Sequence, residues 1–218
     1  MSDVTLLLQY GPSLLEGAGV TILCWAAGTV LALGLGLLIA AGRELPFPPL
    51  RWLLRGIVEL VRGVPFLVQL YLLYDGGPAV GLRLSAVTAG IVALGIYGSA
   101  YFAEIFRAGF AAVPAGPIEA AVATGMTNAQ IMRRVRLPAM AVAIAPPLVN
   151  MTIILSKETV VLSIITVPEL MYQAQTMATE TFASFETILA LAVLYWAMVE
   201  GFSRLGRAGE RRMTAYLA

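Results

Sequence analysis

Five long apolar stretches dominate this sequence of 218 residues. Each is close to the roughly 20 residues that a helix needs to cross a hydrocarbon layer of about 30 Å. Because backbone N–H and C=O groups in lipid must find partners within their own segment, such stretches fold as transmembrane helices. We therefore predict an all-α polytopic membrane protein with about five spans, at residues 17–42, 53–74, 84–103, 137–156 and 187–203.

The composition agrees with a membrane location. Of all residues 59% are hydrophobic and 12% are charged, whereas about a quarter of the residues are charged in an average soluble domain. The length suffices for a single transmembrane domain, residues 1–218, and not for a sizeable soluble domain in addition. Residues 159–185 contain Pro168 and scattered glutamates, so we interpret them as a short helix and a loop outside the membrane.

Two local patterns predict where helices begin. Ser13 and Glu16 have the Ser-x-x-Glu spacing of a capping box at the start of the first span. Thr166 and Glu169 have the equivalent spacing before the short helix. In a capping box, two side chains satisfy backbone N–H groups that the first helical turn leaves free. Both sites are therefore predicted helix starts.

The arginines predict the orientation, because cytoplasmic loops of membrane proteins are enriched in lysine and arginine. With five spans, three arginine clusters fall on one side of the membrane, and only Arg83 and Lys157 fall on the other. The N-terminus is therefore predicted outside and the C-terminus in the cytoplasm. The clusters are Arg43, Arg51, Arg55 and Arg62; Arg107, Arg133, Arg134 and Arg136; and Arg204, Arg207, Arg211 and Arg212.

Residues that the sequence lacks exclude several kinds of chemistry. There is no histidine, and the single cysteine, Cys24, lies within an apolar stretch where we expect it to be buried. This excludes an internal disulfide, the usual His/Cys metal sites and a histidine general base. The only lysine, Lys157, is not preceded by the glycines of a phosphate-binding loop. We expect no catalytic residue, metal or cofactor in this chain.

The segment between the third and fourth spans, about residues 114–136, holds the most informative pattern. Glu119 favours the positive start of a helix, and Gly125 permits a turn that other residues resist. Thr127 and Gln130 then have the spacing of a capping box. The pattern predicts two short helices joined at a glycine, and such a bent segment can insert into a groove of a partner protein.

This segment resembles the signature loop of ABC importer permeases, which reads Glu-Ala-Ala, three residues, Gly, nine residues, Ile, one residue, Leu-Pro. The chain departs from the pattern at Val135, where isoleucine is usual, and at Pro117, where glutamine is usual. The resemblance implies a type I importer permease fold, whose coupling helix docks into a cytoplasmic ATPase that holds ATP and Mg²⁺. The matching residues, expected to couple to the ATPase, are Glu119, Ala120, Ala121, Gly125, Leu137 and Pro138.

Flanking motifs are similar to those of the polar amino-acid branch of these permeases. Residues 59–69 are similar to its Arg-Gly-Thr-Pro-Leu-Leu-Val-Gln, with Val64 for threonine. Residues 101–109 are similar to its Tyr-x-x-Glu-x-x-Arg-Gly-Gly, with Ala108 for glycine, and residues 157–161 stand where it has Lys-Asp-Thr-Ser-Leu. The resemblance implies uptake of a polar amino acid or an amino-acid-like solute across a bacterial inner membrane. The alternatives are methionine or an osmolyte such as ectoine or a betaine.

Polar residues in or near the spans are candidates for a solute pathway or a gate. Glu104 and Arg107 are three residues apart on a helix, as are Glu59 and Arg62. The two charges of each pair can therefore form an ion pair with each other, which is the alternative to a role in a pathway or gate. Polar groups in the fourth span either bond to neighbouring helices or face a water-filled cavity. The pathway or gate candidates are Gln69, Glu104, Arg107, Asn150, Ser156, Lys157 and Glu158.

The resemblance also implies the partners. They are a cytoplasmic ABC ATPase dimer, an extracytoplasmic solute-binding protein and a second permease, either another copy or a sister chain, all at a lipid bilayer; no nucleic acid is expected. Two other classes remain open. An intramembrane enzyme would have Ser156 and Lys157 as nucleophile and base, but adjacent residues are poorly placed for the required hydrogen bond. The other class is a scaffold subunit without a passage.

Overall fold

The computed structural model describes the backbone of residues 3–217 and the side chains of residues 9–211. Within that part of the chain every regular element is a helix, which confirms the predicted all-α class. Arg212, one of the arginines used to predict the orientation, has its side chain outside the described residues. The α-helices are α1 (Asp3–Glu44), α2 (Pro48–Gly63), α3 (Phe66–Tyr74), α4 (Ala86–Ala111), α5 (Ala115–Ala123), α6 (Asn128–Ile131), α7 (Leu137–Glu158), α8 (Leu170–Thr181) and α9 (Ser184–Leu217).

The structure has four to five candidate spans, in agreement with the predicted number of about five. Four segments of the described chain are long and apolar enough to cross a membrane. The pair α2 and α3 makes a fifth when the two helices are taken together. They are bent by 104° relative to each other, so the second span is broken. The four continuous segments are Gln9–Glu44, Ala86–Ala111, Asn128–Ile165 and Ser184–Arg211.

The break in the second span follows from Pro65. Proline has no N–H to donate, and it pushes the preceding residue out of the helical conformation. Val64 accordingly ends α2 in an extended conformation, with φ −100° and ψ 130°. The sequence-based prediction of one uninterrupted helix over residues 53–74 is therefore wrong, although both halves are helical where it placed them.

The predicted start of the first span is also wrong. Helix α1 runs without interruption from Asp3 past Ser13 and Glu16, and it even contains Pro12. A capping box is useful only where the first N–H groups of a helix lack acceptors. Because earlier turns of α1 supply backbone carbonyls, Ser13 and Glu16 lie in the helix interior and do not cap it.

The centre of the fold is the close contact between α1 and α4. Gly28 and Gly36 of α1 face Leu94 and Phe102 of α4, and a Cβ at either glycine would lie 2.8 or 2.7 Å from the Cβ of its neighbour. Small residues at such crossings let two membrane helices approach closely. Cys24, on the same helix, is 0% exposed, which confirms the prediction that it is a buried packing residue.

Residues 159–185 form a 3₁₀-helix, Thr159–Ile165, followed by α8. The predicted short helix is therefore present, but Thr166 does not cap it: this residue adopts the left-handed conformation with φ 61°. Glu169 is the cap, because its Oε1 accepts a hydrogen bond from Tyr172 N–H at 2.9 Å. Its Oε2 accepts from the Tyr195 hydroxyl at 2.8 Å, so a carboxylate that is 0% exposed ties α8 to α9.

This buried carboxyl group makes stability depend on pH. Burial raises the pKa of Glu169 above its ordinary value. Since the folded protein then holds the proton more tightly than the unfolded chain, its contribution to stability is full below about pH 4 and is lost as pH rises through the raised pKa. We expect Glu169→Gln to flatten this dependence. We expect Glu169→Leu to lower stability by about 1–3 kcal/mol, because Tyr195 and Tyr172 lose their acceptor.

Thermal unfolding of the purified protein between pH 4 and pH 8 measures both effects. Glu180→Gln is the matched control, since Glu180 is an exposed carboxylate on the same helix. Equal pH slopes for the natural protein and Glu169→Gln would contradict the expectation.

Candidate functional site

The segment between α4 and α7 has the predicted shape of two short helices joined at a glycine. Helix α5 projects Glu119 and Ala120 outward, whereas Ala121 is buried at 6% exposure. Val122 on the outer side is 59% exposed. An exposed helix with a small alanine, an apolar valine and one carboxylate offers a surface that can fit closely into a groove of a partner.

Gly125 makes the bend after α5. Its φ is +78°, a conformation that residues with a side chain rarely adopt. Gly125 N–H donates to the Val122 carbonyl at 2.9 Å, and Met126 N–H donates to the Ala121 carbonyl at 3.1 Å. These two bonds form the Schellman arrangement that ends a helix at a left-handed residue. The predicted role of the glycine in shaping the bend is confirmed.

The second half of the segment leads directly into the fourth span. Thr127 Oγ1 accepts from Gln130 N–H and Gln130 Oε1 accepts from Thr127 N–H, so the predicted capping box at the start of α6 is present. A π-helical turn, Met132–Arg136, joins α6 to α7. Leu137 and Pro138 are the first residues of α7. The helical backbone is therefore continuous from α6 into α7.

At the end of α4, Glu104 is held by two arginines. Arg107 donates through Nε and Nη2 to Oε2 at 2.9 and 2.8 Å, as predicted from their spacing. Arg43, at the end of α1, donates to Oε1 of the same carboxylate. The two guanidinium groups are the reason why the side chain of Glu104 can be only 23% exposed, since a partly buried charge needs close opposite charges. The cluster fastens the ends of α1 and α4 together.

The second predicted ion pair has different partners. Glu59 accepts from Arg55 Nε at 2.8 Å, one helical turn before it, and not from Arg62. The guanidinium carbon of Arg62 lies 5.4 Å from the centre of the Tyr101 ring, a distance typical of a cation–π contact. Residues three apart and residues four apart both lie on one face of a helix. Spacing alone therefore could not decide whether Glu59 pairs with Arg55 or with Arg62.

Gln69 lies at the break between α2 and α3. Its Nε2 donates to the carbonyl of Val61 at 2.8 Å and to the carbonyl of Val64 at 2.9 Å. The last carbonyls of a helix have no partner within the helix, so the amide satisfies the end of α2. Gln69 therefore stabilises the break between α2 and α3.

A groove of about 490 Å³ runs between α4 and α7. Glu104, Arg107 and Asn150 line it together with Tyr101, so three of the predicted pathway or gate residues share one cavity. Asn150 is exposed on the α7 side. Polar groups at membrane depth usually face protein or a water-filled cavity, so this groove is the candidate for the predicted pathway.

The other predicted pathway residues lie elsewhere. Ser156 is 2% exposed and its Oγ donates to the Ile153 carbonyl at 2.7 Å, so its hydroxyl proton is used within α7 and not directed to Lys157. Lys157 is exposed and Glu158 half-buried at the end of α7. As expected for adjacent helical residues, they form no ion pair within the described part of the chain. The structure therefore separates these three from the groove.

The sequence did not predict the roles of Arg43 at the site and of Glu169 at the start of α8. Arg43 entered the sequence analysis only as a positive charge, and Glu169 only as part of a capping pattern. Arg43 meets a carboxylate 61 positions away, and Tyr195 meets Glu169 from another helix. The one available signal for Arg43 is that the first and third spans end on the same side, where charges of opposite sign can pair.

Comparison with known proteins places the chain among transport proteins. A family model described as "Binding-protein-dependent transport system inner membrane component" matches residues 32–215. The chain is 35% identical over 193 residues to the probable glutamine ABC transporter permease protein GlnM of Bacillus subtilis, covering 88% of this chain and 89% of that protein. It is 34% identical to the probable amino-acid ABC transporter permease protein PatM of Vibrio harveyi, covering 97% and 96%.

Solved structures agree with these relatives. A crystal structure of an amino acid ABC transporter with histidines superposes with a TM-score of 0.90 at 35% identity, covering 97% of this chain and 99% of that one. A chain of the MetNI methionine ABC transporter superposes with a TM-score of 0.71 at 22% identity, covering 98% and 99%. The second similarity shows a common fold alone.

Proposed function

This chain belongs to the family of binding-protein-dependent transport system inner membrane components, and on that premise we propose that it imports a polar amino acid through alternating access driven by a separate ATPase. A permease of this family is a transport subunit and not itself an enzyme. ATP and Mg²⁺ are assigned to the ATPase, and solute capture to an extracytoplasmic binding protein. The relatives described above are named for glutamine and for amino acids, which supports this solute class over methionine or an osmolyte.

The exposed bend at Gly125, with Glu119 beside it, is the observation that carries the proposal. This exposed bend can fit into a groove of a partner, and it continues into α7, which lines the groove with Asn150. In the proposed cycle, closure of the ATPase dimer moves α5 and α6. Through the π-helical turn the motion reaches α7 and changes access to the groove from one face of the membrane to the other.

The shared carboxylate supports the proposed orientation. Arg43 and Arg107 belong to two of the three arginine clusters, and both contact Glu104. Two clusters thus lie at the same end of the molecule, the end from which α5 follows α4. We place that end and the C-terminus in the cytoplasm and the N-terminus outside, in agreement with the charge bias of membrane proteins. A second permease, either a copy or a sister chain, completes the passage.

Uptake by the reconstituted system tests the solute. The chain is assembled in vesicles with its ATPase and binding protein, and accumulation of labelled glutamine, arginine, methionine and ectoine is measured with and without ATP. We expect accumulation of a polar amino acid only with ATP and all subunits present. Turnover of any solute by the isolated chain would overturn the proposal.

Charge reversal at Glu119 tests the docking surface. Glu119→Lys places a positive charge on the exposed face of α5, and we expect it to weaken association with the ATPase by about tenfold or more, since reversing a charge at an interface costs about 1–3 kcal/mol. Association is measured by co-purification and titration in detergent. Glu186→Lys, a reversal at the start of α9, is the control and should bind normally. Unchanged association of the Glu119 variant would show that α5 docks elsewhere.

A further inference from the structure

We propose that the groove between the end of α1 and the start of α2 binds the anionic headgroup of a membrane phospholipid. The groove has a volume of about 380 Å³ and lies where the chain turns after Glu44 into α2 at Pro48. Among the described lining residues it shares only Arg107 with the groove between α4 and α7 that we assign to the solute. Its lining residues are Arg43, Glu44, Pro48, Arg51, Trp52, Arg55 and Arg107.

The lining carries an excess of positive charge, with four guanidinium groups against one carboxylate. Arg43 and Arg107 are directed to Glu104, but neither uses all its N–H groups on that carboxylate. Arg51 is exposed and has no ion pair within the described residues. Guanidinium groups bind phosphate oxygens through paired, charge-assisted hydrogen bonds, so this set of donors fits a phosphate.

Arg55 can also turn to an anion at little cost. Within the described residues its one ion pair joins it to Glu59 at 2.8 Å, and the two side chains are 59% and 66% exposed. Exposed pairs of this kind contribute little to stability, typically below about 1 kcal/mol. Arg51 and Arg55 lie one helical turn apart on α2, so both guanidinium groups reach the same side of the groove.

The rim of the groove selects a lipid over a free phosphate. Trp52, which lines the groove, is 71% exposed, and Leu45 and Phe47, in the turn between the lining residues Glu44 and Pro48, are 52% and 57% exposed. Large apolar side chains beside a basic groove would be unfavourable in water, but they suit the boundary between headgroups and acyl chains, where tryptophan is enriched. An occupant with an anionic head and apolar tails satisfies both surfaces. The headgroup belongs to the leaflet that the C-terminal end of α1 reaches.

The amphipathic character of α2 supports this position. Its charged residues Arg55 and Glu59 share one face, while Val58 is 2% exposed and packs toward α4. Because α2 meets α3 at 104°, the two helices cannot both run along the membrane normal. The start of α2, with its basic face and exposed apolar residues, therefore has the character of a segment at the membrane interface.

The test compares lipid retention by two variants of the assembled transporter. In Arg51→Gln/Arg55→Gln the groove loses two charges, and in Arg204→Gln/Arg207→Gln the exposed arginines that pair with Glu200 on α9 are changed. Each complex is titrated in neutral detergent with phosphatidylglycerol, phosphatidylcholine or inorganic phosphate, and bound lipid is counted by native mass spectrometry. Charges near an anionic surface contribute about 1 kcal/mol each, so we expect the groove variant, which loses two charges, to bind phosphatidylglycerol about thirtyfold more weakly.

The control variant should keep the phosphatidylglycerol affinity of the natural complex, and phosphatidylcholine should bind weakly to all three. Three results would overturn the proposal: equal loss in both variants, equal binding of the two lipids, or full displacement of phosphatidylglycerol by millimolar phosphate. A disulfide between Trp52→Cys residues of two copies, formed without lipid, would also overturn it, since a second copy would then cover the groove. Failure here leaves the uptake measurement unaffected, so the two proposals are tested separately.

Discussion

We expect Gly125→Pro to abolish ATP-driven uptake while the spans remain folded. Proline fixes φ near −65°, whereas Gly125 has φ +78°. The substitution also removes the N–H that donates to the Val122 carbonyl. A proline in an incompatible position costs about 3 kcal/mol or more, so the bent conformation of the segment becomes about a hundredfold less populated. Because Gly125 is exposed and far from the α1–α4 contact, the loss should be confined to coupling.

Ala115→Pro provides the matched control. Ala115 is the first residue of α5 and follows Pro114, and proline suits the first position of a helix, where its missing N–H is not needed. Both variants are reconstituted with the ATPase and binding protein, and uptake and ATPase association are measured. We expect the control to work normally. Normal uptake by Gly125→Pro, or equal loss in both variants, would show that the bend is not the coupling element.

Gly36→Leu should be the most destabilising single change in the core of the fold. A Cβ at this position would lie 2.7 Å from Phe102 Cβ and 2.9 Å from the Ser99 carbonyl oxygen. Part of this contact is backbone of α4, which cannot turn aside as a side chain can. The helices must then separate, and we expect a loss of stability of about 3 kcal/mol or more, at the upper end of what overpacking a core costs.

Gly34→Leu is the control on the same helix. A Cβ there meets nothing within 4 Å, and leucine has a higher helix propensity than glycine by roughly 0.8 kcal/mol. Thermal unfolding in detergent and the yield of assembled transporter are measured for both variants. We expect Gly34→Leu to match or slightly exceed the natural protein in stability. Similar unfolding temperatures for the two variants would mean that α1 and α4 do not meet as closely as described.

The spans and the bend could be predicted because local sequence determines them. Apolar length determines a membrane helix, and the Gly125 bend with its Thr127 cap needs only neighbouring residues. The break at Pro65 was missed because the span was identified from apolar character, although proline itself gave the signal. The capping-box pattern at Ser13 and Glu16 was misleading because these residues also fit the interior of a longer helix. No neighbouring residue decides between a helix start and a helix interior.

Pairing between helices could not be predicted from one sequence. Glu104 was expected to meet Arg107, its neighbour on α4, but the contact with Arg43 depends on how α1 and α4 cross. The crossing depends in turn on Gly28 and Gly36 facing α4. The same limit applies to Asn150, which shares the groove with Glu104 while Ser156, on the same helix, is buried. The rotation of each helix about its axis decides which of its side chains face the groove or a neighbouring helix. A single sequence predicts that rotation only roughly.

The helical backbone is unbroken from Asn128 to Ile165, so the second half of the segment between α4 and α7 is one end of a single long helix. Its 38 residues, at about 1.5 Å each, reach about 57 Å. Tilting such a helix by about 5° around one end displaces the other by about 5 Å, roughly the width of a small solute. In the proposed orientation, a modest push at the cytoplasmic end of this helix would thus widen or narrow the far mouth of the proposed passage, with no residue along the way having to change its conformation.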